Sequence, residues 1–220
     1  MDAFLQQLWI ARRALLDGAW LTVQISVVSI VIGTAFGVLV GLALTYGPRF
    51  LRWPTRLYVD FIRGTPVLVL VLAAFYILSV IGIQLTAVQA GIFALAVFCS
   101  SHVGEIVRGA LEAIPKGQIE AAKSLGLNFR LTILLVLLPQ ALRQILPSWV
   151  NTGTEMVKAS TLLSVIGVTE LLLATKEVIS RNYMSLQFYL FAAAIYFLVN
   201  FAIERLGKSL GCRMALKGAR

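Results

Sequence analysis

Charge is what this chain has least of. Asp, Glu, Lys and Arg make up 13% of its 220 residues, about half the share of an average soluble domain. That is too little to coat a water-facing surface, which excludes an ordinary soluble protein. Histidine occurs once and cysteine twice. Cys99 and Cys212 lie far apart with no redox or zinc spacing, and a lone His102 cannot complete a site that needs several ligands. No metal is expected, and all three residues read as packed structural groups. No G-x-x-x-x-G-K-[ST] pattern occurs, so the chain shows no P-loop nucleotide site of its own. Acidic residues number ten against nineteen basic ones. In so apolar a chain that excess belongs to loops at a membrane surface rather than to nucleic-acid binding.

What is present is hydrophobic: 59% of the residues, with a mean hydropathy of +0.88. The first 20 residues hold Arg12, Arg13 and Asp17 and no small-residue cleavage motif. The first long apolar run is therefore expected to be a retained span rather than a removed signal peptide. That span covers about 20–45, and in it Ser29, Gly33, Gly37 and Gly41 recur every fourth residue. Such a small-residue row lets a second helix approach closely. Further spans are expected at about 65–83, 86–107 and 185–206, each near the roughly 20 residues a hydrocarbon core requires. The stretch between 131 and 175 is less regular. LTILLVLL (131–138) is too short to span and stops at Pro139, and 161–175 contains Gly167 and Glu170. Hydropathy alone selects 156–175. The reading adopted is a fourth span at about 139–160, with 161–175 as a re-entrant segment, because apolar stretches of about 10–14 residues favour partial insertion.

Basic residues orient these five spans. Arg49, Arg52, Arg56 and Arg63 follow span one, and Arg108, Lys116, Lys123, Arg130 and Arg143 follow span three. Arg205, Lys208, Arg213, Lys217 and Arg220 follow the last span, so fourteen of nineteen fall on one side. Arg12, Arg13, Lys176 and Arg181 fall on the other, and Lys158 lies at membrane depth. The positive-inside bias predicts an external N-terminus and a cytoplasmic C-terminus.

Two polar segments remain. EIVRGALEAIPKGQIEAAKSLGLNFR (105–130) is too polar for lipid. Pro115 suits a helix start, Gln118–Leu125 favours helix, and Gly126 stands where a left-handed residue ends one. A helix over about 115–126, with Glu120 and Lys123 able to pair, is marginal alone and must be held by a neighbour or partner. The second segment is PSWVNTGTEMVKAS (147–160). Gln144, Ser148, Asn151, Glu155 and Lys158 are spaced four, three, four and three, which puts them on one helical face. Charges at membrane depth are costly and mark functional sites by default. Two readings stay open: Glu155 and Lys158 pair with each other to tie down a helix contact, or the stripe lines a solute path. Pro147 permits a bend or break. Near the end of span three, Glu105 and Arg108 form a local ion pair in this reading, and Arg63 anchors to headgroups or caps a gate.

Glu120-Ala121-Ala122, three residues, Gly126, nine residues, then Val136-x-Leu138-Pro139 resembles the EAA loop of ABC-importer permeases, with Val in place of Ile. FIRGTP (61–66), EIVRGALEAIPKGQ (105–118), PQALRQILP (139–147) and LLSVIGVTEL (162–171) resemble the polar-amino-acid branch of that family, so the likeness covers about 61–206. The resemblance implies an all-α membrane protein of the type I ABC-importer permease fold. It implies a bacterial inner-membrane location, a second permease chain, same or related, and a pair of cytoplasmic ATPase subunits that carry ATP and Mg. It also implies an extracytoplasmic solute-binding protein. Glu120, Ala121, Ala122 and Gly126 become the expected ATPase-coupling residues, and Ser148, Asn151, Glu155 and Lys158 the expected substrate path. No cofactor is expected in this chain itself. Many members read Lys-Asp-Thr/Ser-Ser-Leu where this chain has Lys158-Ala159-Ser160-Thr161-Leu162, which leaves Glu155 as the acid for any cationic solute. The competing function is an ion-gradient-driven carrier of small polar solutes using Glu155 and Lys158 as a proton relay. Such carriers often have two related halves, and none is evident here.

Overall fold

The computed structural model describes residues 2–216, and the side chains of 3–128 and 130–209. Lys217 and Arg220, named in the charge count, lie outside the described residues, as do the side chains of Arg213 and Cys212. The described chain is helical throughout and contains no strand. Its helices are α1 (Asp2–Tyr46), α2 (Arg49–Gly64), α3 (Val67–Val80), α4 (Ala87–Glu112), α5 (Lys116–Ser124), α6 (129–166), α7 (Leu171–Asn182) and α8 (Ser185–Leu216). Four of them are long and apolar enough to cross a membrane, and α2 with α3 makes a fifth if that bent pair counts as one span.

Three boundaries differ from the sequence reading. Helix α1 does not begin near residue 20 but at Asp2, and its 45 residues extend about 68 Å at 1.5 Å per residue, twice a hydrocarbon core. The arginine-rich connection after span one is no loop but helix α2. It meets α3 at 109°, because Thr65 is extended (φ −100°, ψ 132°) ahead of Pro66, the conformation that a following proline imposes. The third concerns Pro139, which does not separate 131–138 from span four. Residues Ile133–Leu137 widen into a π-turn, in which the Leu138 N–H reaches back to the Ile133 carbonyl. The wider turn accommodates a ring that would otherwise clash with the carbonyl four residues earlier. Helix α6 then continues through Pro147 and tightens to a 3₁₀ turn at Ser160–Ile166.

The centre of the molecule is the α1–α4 seam. A methyl carbon placed on Gly33, Gly37 or Gly41 would stand 2.5–2.6 Å from the Cβ of Cys99, Val103 or Val107. The every-fourth glycines of α1 therefore face every-fourth side chains of α4, in the small-residue packing their spacing predicts. A capping box of Thr86 and Gln89 starts α4. Ile25, Leu95, Cys99, Val103, Met156 and Leu163 are buried together where α6 joins this pair, and Trp149 of α6 donates to the Thr34 hydroxyl of α1 at 2.9 Å.

Candidate functional site

Helix α5 is short, and its position comes from neighbours. Pro115 is the residue just before the helix rather than its first member. The helix ends on Gly126 at φ +76°, with Leu127 N–H bonded to Ala122 O and Gly126 N–H to Lys123 O, a left-handed stop of the kind glycine permits. Nothing crowds Gly126, since an added Cβ would meet no atom within 4 Å; its requirement is the backbone angle alone. Below α5, Ile114, Leu137 and Ala141 are buried together with Ile119 and Ile133 packed on them. The two halves of the Glu120–Pro139 pattern are thus one packing unit, with α5 resting on the π-turn that precedes Pro139. Ala122 is buried, whereas Glu120, Ala121, Lys123 and Gly126 face outward. Glu120 and Lys123 form no ion pair among the described residues, contrary to expectation. Leu125, which sequence reasoning did not single out, is 80% exposed at the tip of α5. An unpartnered leucine beside an outward carboxylate is chemistry suited to a protein contact.

The polar stripe lies on α6 as spaced. Gln144, Ser148, Asn151, Glu155 and Lys158 are all exposed, while Val150, Thr152, Gly153, Thr154, Met156 and Val157 between them are buried. The pairing of Glu155 with Lys158 is not found: the ion pairs among the described residues lie elsewhere. Exposure explains this, because a pair open to water gains little over separate solvation. Asn151 and Lys158 instead line two clefts against α8. The first also holds Arg143, Glu204 and Lys208, and the second Thr161, Tyr196, Asn200 and Glu204. Among the described residues the buried Asn200 Oδ1 has no hydrogen-bond partner.

Two further polar clusters lie elsewhere in the fold. Glu105 joins Arg108 as predicted, and also gathers Arg56 at 3.4 Å and Arg63 at 4.0 Å from α2. Arg108 bridges onward to Glu112. Arg63 therefore points at a carboxylate of α4. At the other end of the molecule, Glu170 is fully buried. Its carboxylate accepts from the Leu172 and Leu173 N–H groups, each at 3.0 Å, and from the Tyr196 hydroxyl at 2.6 Å. The adjacent Leu171 N–H reaches the Thr22 hydroxyl of α1 at 3.2 Å, so α1, α7 and α8 meet at the start of α7. Sequence reasoning noted Glu170 only as an obstacle to insertion. The available signal was its place directly before the LLLA run, where a carboxylate caps a helix. His102 packs on Phe98, with Nδ1 3.0 Å from the Phe98 carbonyl. Among the described residues no group of His, Cys, Asp or Glu could hold a metal.

Residues 33–215 match the family described as the binding-protein-dependent transport system inner membrane component. A probable amino-acid ABC transporter permease of Bacillus subtilis (strain 168) is 36% identical over 184 residues, 84% of this chain and 81% of the relative. The glutamine transport system permease of Escherichia coli K12 is 31% identical over 211 residues, 95% and 96% of the two chains. The crystal structure of an amino acid ABC transporter with histidines superposes with a TM-score of 0.85 at 31% identity, over 92% of this chain and 94% of that one. An inward-facing methionine ABC transporter shares the fold at a TM-score of 0.76 and 22% identity. The chain belongs to the binding-protein-dependent inner-membrane permease family.

Proposed function

We propose that the chain is the membrane subunit of an ATP-driven amino-acid importer and couples to a separate ATPase through α5. The observation that carries this reading is the arrangement of α5 on the π-turn of α6. Glu120, Ala121, Leu125 and Gly126 are turned outward for a partner, and Ala122 and Ile119 are turned inward onto the helix that bears the polar stripe. A push on α5 reaches α6 through Leu137 and Ala141 without an intervening loop. The amino-acid class rests on relatives named for amino acids and glutamine.

The stripe supplies suitable chemistry for such a solute. Lys158 matches a carboxylate, Glu155 an ammonium or basic side chain, and Asn151 and Ser148 offer neutral hydrogen bonds. Because all of these face out of the protomer, the path forms where a second permease chain, same or related, closes over them. The rest of the complex is a pair of cytoplasmic ATPase subunits holding ATP and Mg, and an extracytoplasmic solute-binding protein. The chain lies in a bacterial inner membrane with its N-terminus outside and its C-terminus in the cytoplasm.

Reconstitution with the ATPase and the binding protein in proteoliposomes tests this directly. Uptake is expected only with the binding protein outside and ATP inside, and vanadate stops it. Uptake that ignores vanadate and follows a proton gradient would establish the carrier reading of Glu155 and Lys158 instead. Reversing charge at Glu120 together with bulk at Gly126 is expected to abolish both ATPase association and transport. Unchanged association removes α5 from the coupling role.

A further inference from the structure

Helix α2 divides into three longitudinal faces. Tyr58, Val59 and Ile62 turn inward, with the Tyr58 hydroxyl 2.6 Å from Ser100 Oγ of α4. Arg49, Arg52, Arg56, Asp60 and Arg63 form a second, charged face at helical spacing. The third face is Phe50, Trp53, Leu57 and Phe61, all apolar and 59–80% exposed. A helix with a basic face and an exposed apolar face containing Trp lies in the plane of the membrane interface.

The charged face forms one wall of a cleft of about 500 Å³, lined by Leu44, Arg49, Arg52, Trp53, Arg56, Arg108 and Glu112. Arg56 and Arg108 are already engaged by Glu105, Asp60 and Glu112, which fixes them as walls. Arg49 and Arg52 have no carboxylate partner among the described residues; Arg52 reaches only the Thr45 carbonyl at 3.1 Å. The cleft is therefore an arginine pocket with two uncompensated guanidinium groups, open beside an apolar shelf at the same level.

We propose that this cleft binds the headgroup phosphate of an anionic glycerophospholipid, with the acyl chains lying along Phe50, Trp53 and Leu57. Arginine forks match a phosphate bidentately, and basic pockets between membrane helices are suited to anionic headgroups. An acidic protein surface would satisfy Arg49 and Arg52 but leave the apolar shelf bare, so the lipid accounts for more of the site. The assignment depends on the spans crossing a bilayer and not on which solute the chain carries.

The test is native mass spectrometry of the full chain released from nanodiscs of phosphatidylcholine with and without phosphatidylglycerol. The wild-type protein is expected to keep phosphatidylglycerol in preference to phosphatidylcholine. Arg49→Gln with Arg52→Gln should cut that retention about tenfold or more, and Arg12→Gln with Arg13→Gln, at the far end of α1, should leave it unchanged. Arg49→Lys with Arg52→Lys keeps the charge but not the fork and is expected to retain an intermediate amount, which separates lost binding from lost folding. Equal retention of both lipids, or no difference between wild type and the glutamine variant, overturns the proposal. So does displacement of the lipid by inorganic phosphate alone, which would mark a free-anion site. If the glutamine variant keeps its lipid but no longer copurifies with the ATPase, the cleft is a protein contact and the assignment is wrong.

Discussion

Glu155 and Glu170 are the same side chain fifteen positions apart, and the protein treats them in opposite ways. Glu170 is closed off from solvent and receives three hydrogen bonds from two helices. Glu155 is exposed and receives none among the described residues. The first is satisfied within one chain, so its value lies in tying the start of α7 to α8. The second has no partner within the described chain, and under the proposed function its contact is a solute or a second permease chain. The same contrast separates the glycine seam of α1 and α4, where no atom can be added, from the outward face of α5 and α6, where space is open. Completeness inside the protomer marks structure here, and the open faces are where the proposed function places its contacts.

Four substitutions and one control probe that division, beginning with the largest loss of stability. Glu170→Ala strands two helix-end N–H groups and the Tyr196 hydroxyl, and is expected to cost about 3 kcal/mol, the sum of a lost cap and a lost charged hydrogen bond. A melting midpoint in detergent equal to wild type would break the comparison at its closed end. Gly37→Leu drives a side chain into Val103 at a seam where even a Cβ stands 2.6 Å away. About 2 kcal/mol is expected for such overpacking, with Gly153→Ala, where the nearest atoms are 3.8 Å off, as the mild control. Gly126→Val places a β-branched residue at φ +76° and should cost about 1 kcal/mol of local strain. Its larger effect is expected in ATPase copurification, which falls while the protein still inserts. Glu155→Gln is the smallest in stability, within about 0.5 kcal/mol as for exposed sites generally. Its uptake of amino acids should nonetheless change about tenfold, the worth of one charge-assisted contact. Unaltered uptake across the candidate amino acids would remove Glu155 from the path and erase the distinction.

How much of this was legible in the sequence depends on whether a residue's role is local. The glycine row was readable because a spacing of four defines a face without knowledge of the partner. The α5 stop at Gly126 was readable for the same reason. The polar stripe was placed on the correct face, but its unpaired state was not legible, since Glu155 and Lys158 are within reach of each other by spacing alone. Pro139 misled because proline ends a helix unless the preceding turn widens, and the widening at Ile133–Leu137 has no composition of its own. Arg12, Arg13 and Asp17 hid the early start of α1, as four arginines hid helix α2. In both cases charge was read as loop where it marks a helix at or beyond the membrane surface. Glu170 was missed because its partners, Tyr196 and the α7 N-terminus, become neighbours only after folding.

The unbroken course of α6 has a mechanical consequence. From Leu137, beneath α5, to Lys158 at the end of the stripe the helix runs 21 residues, about 31 Å at 1.5 Å per residue. A tilt of about 10° about the Leu137 end would carry Lys158 sideways by about 5 Å, farther than any hydrogen bond reaches. A small angular change at the base is thus enough to make or break every contact at the far end, and the gain is set by nothing more than the length of the rod.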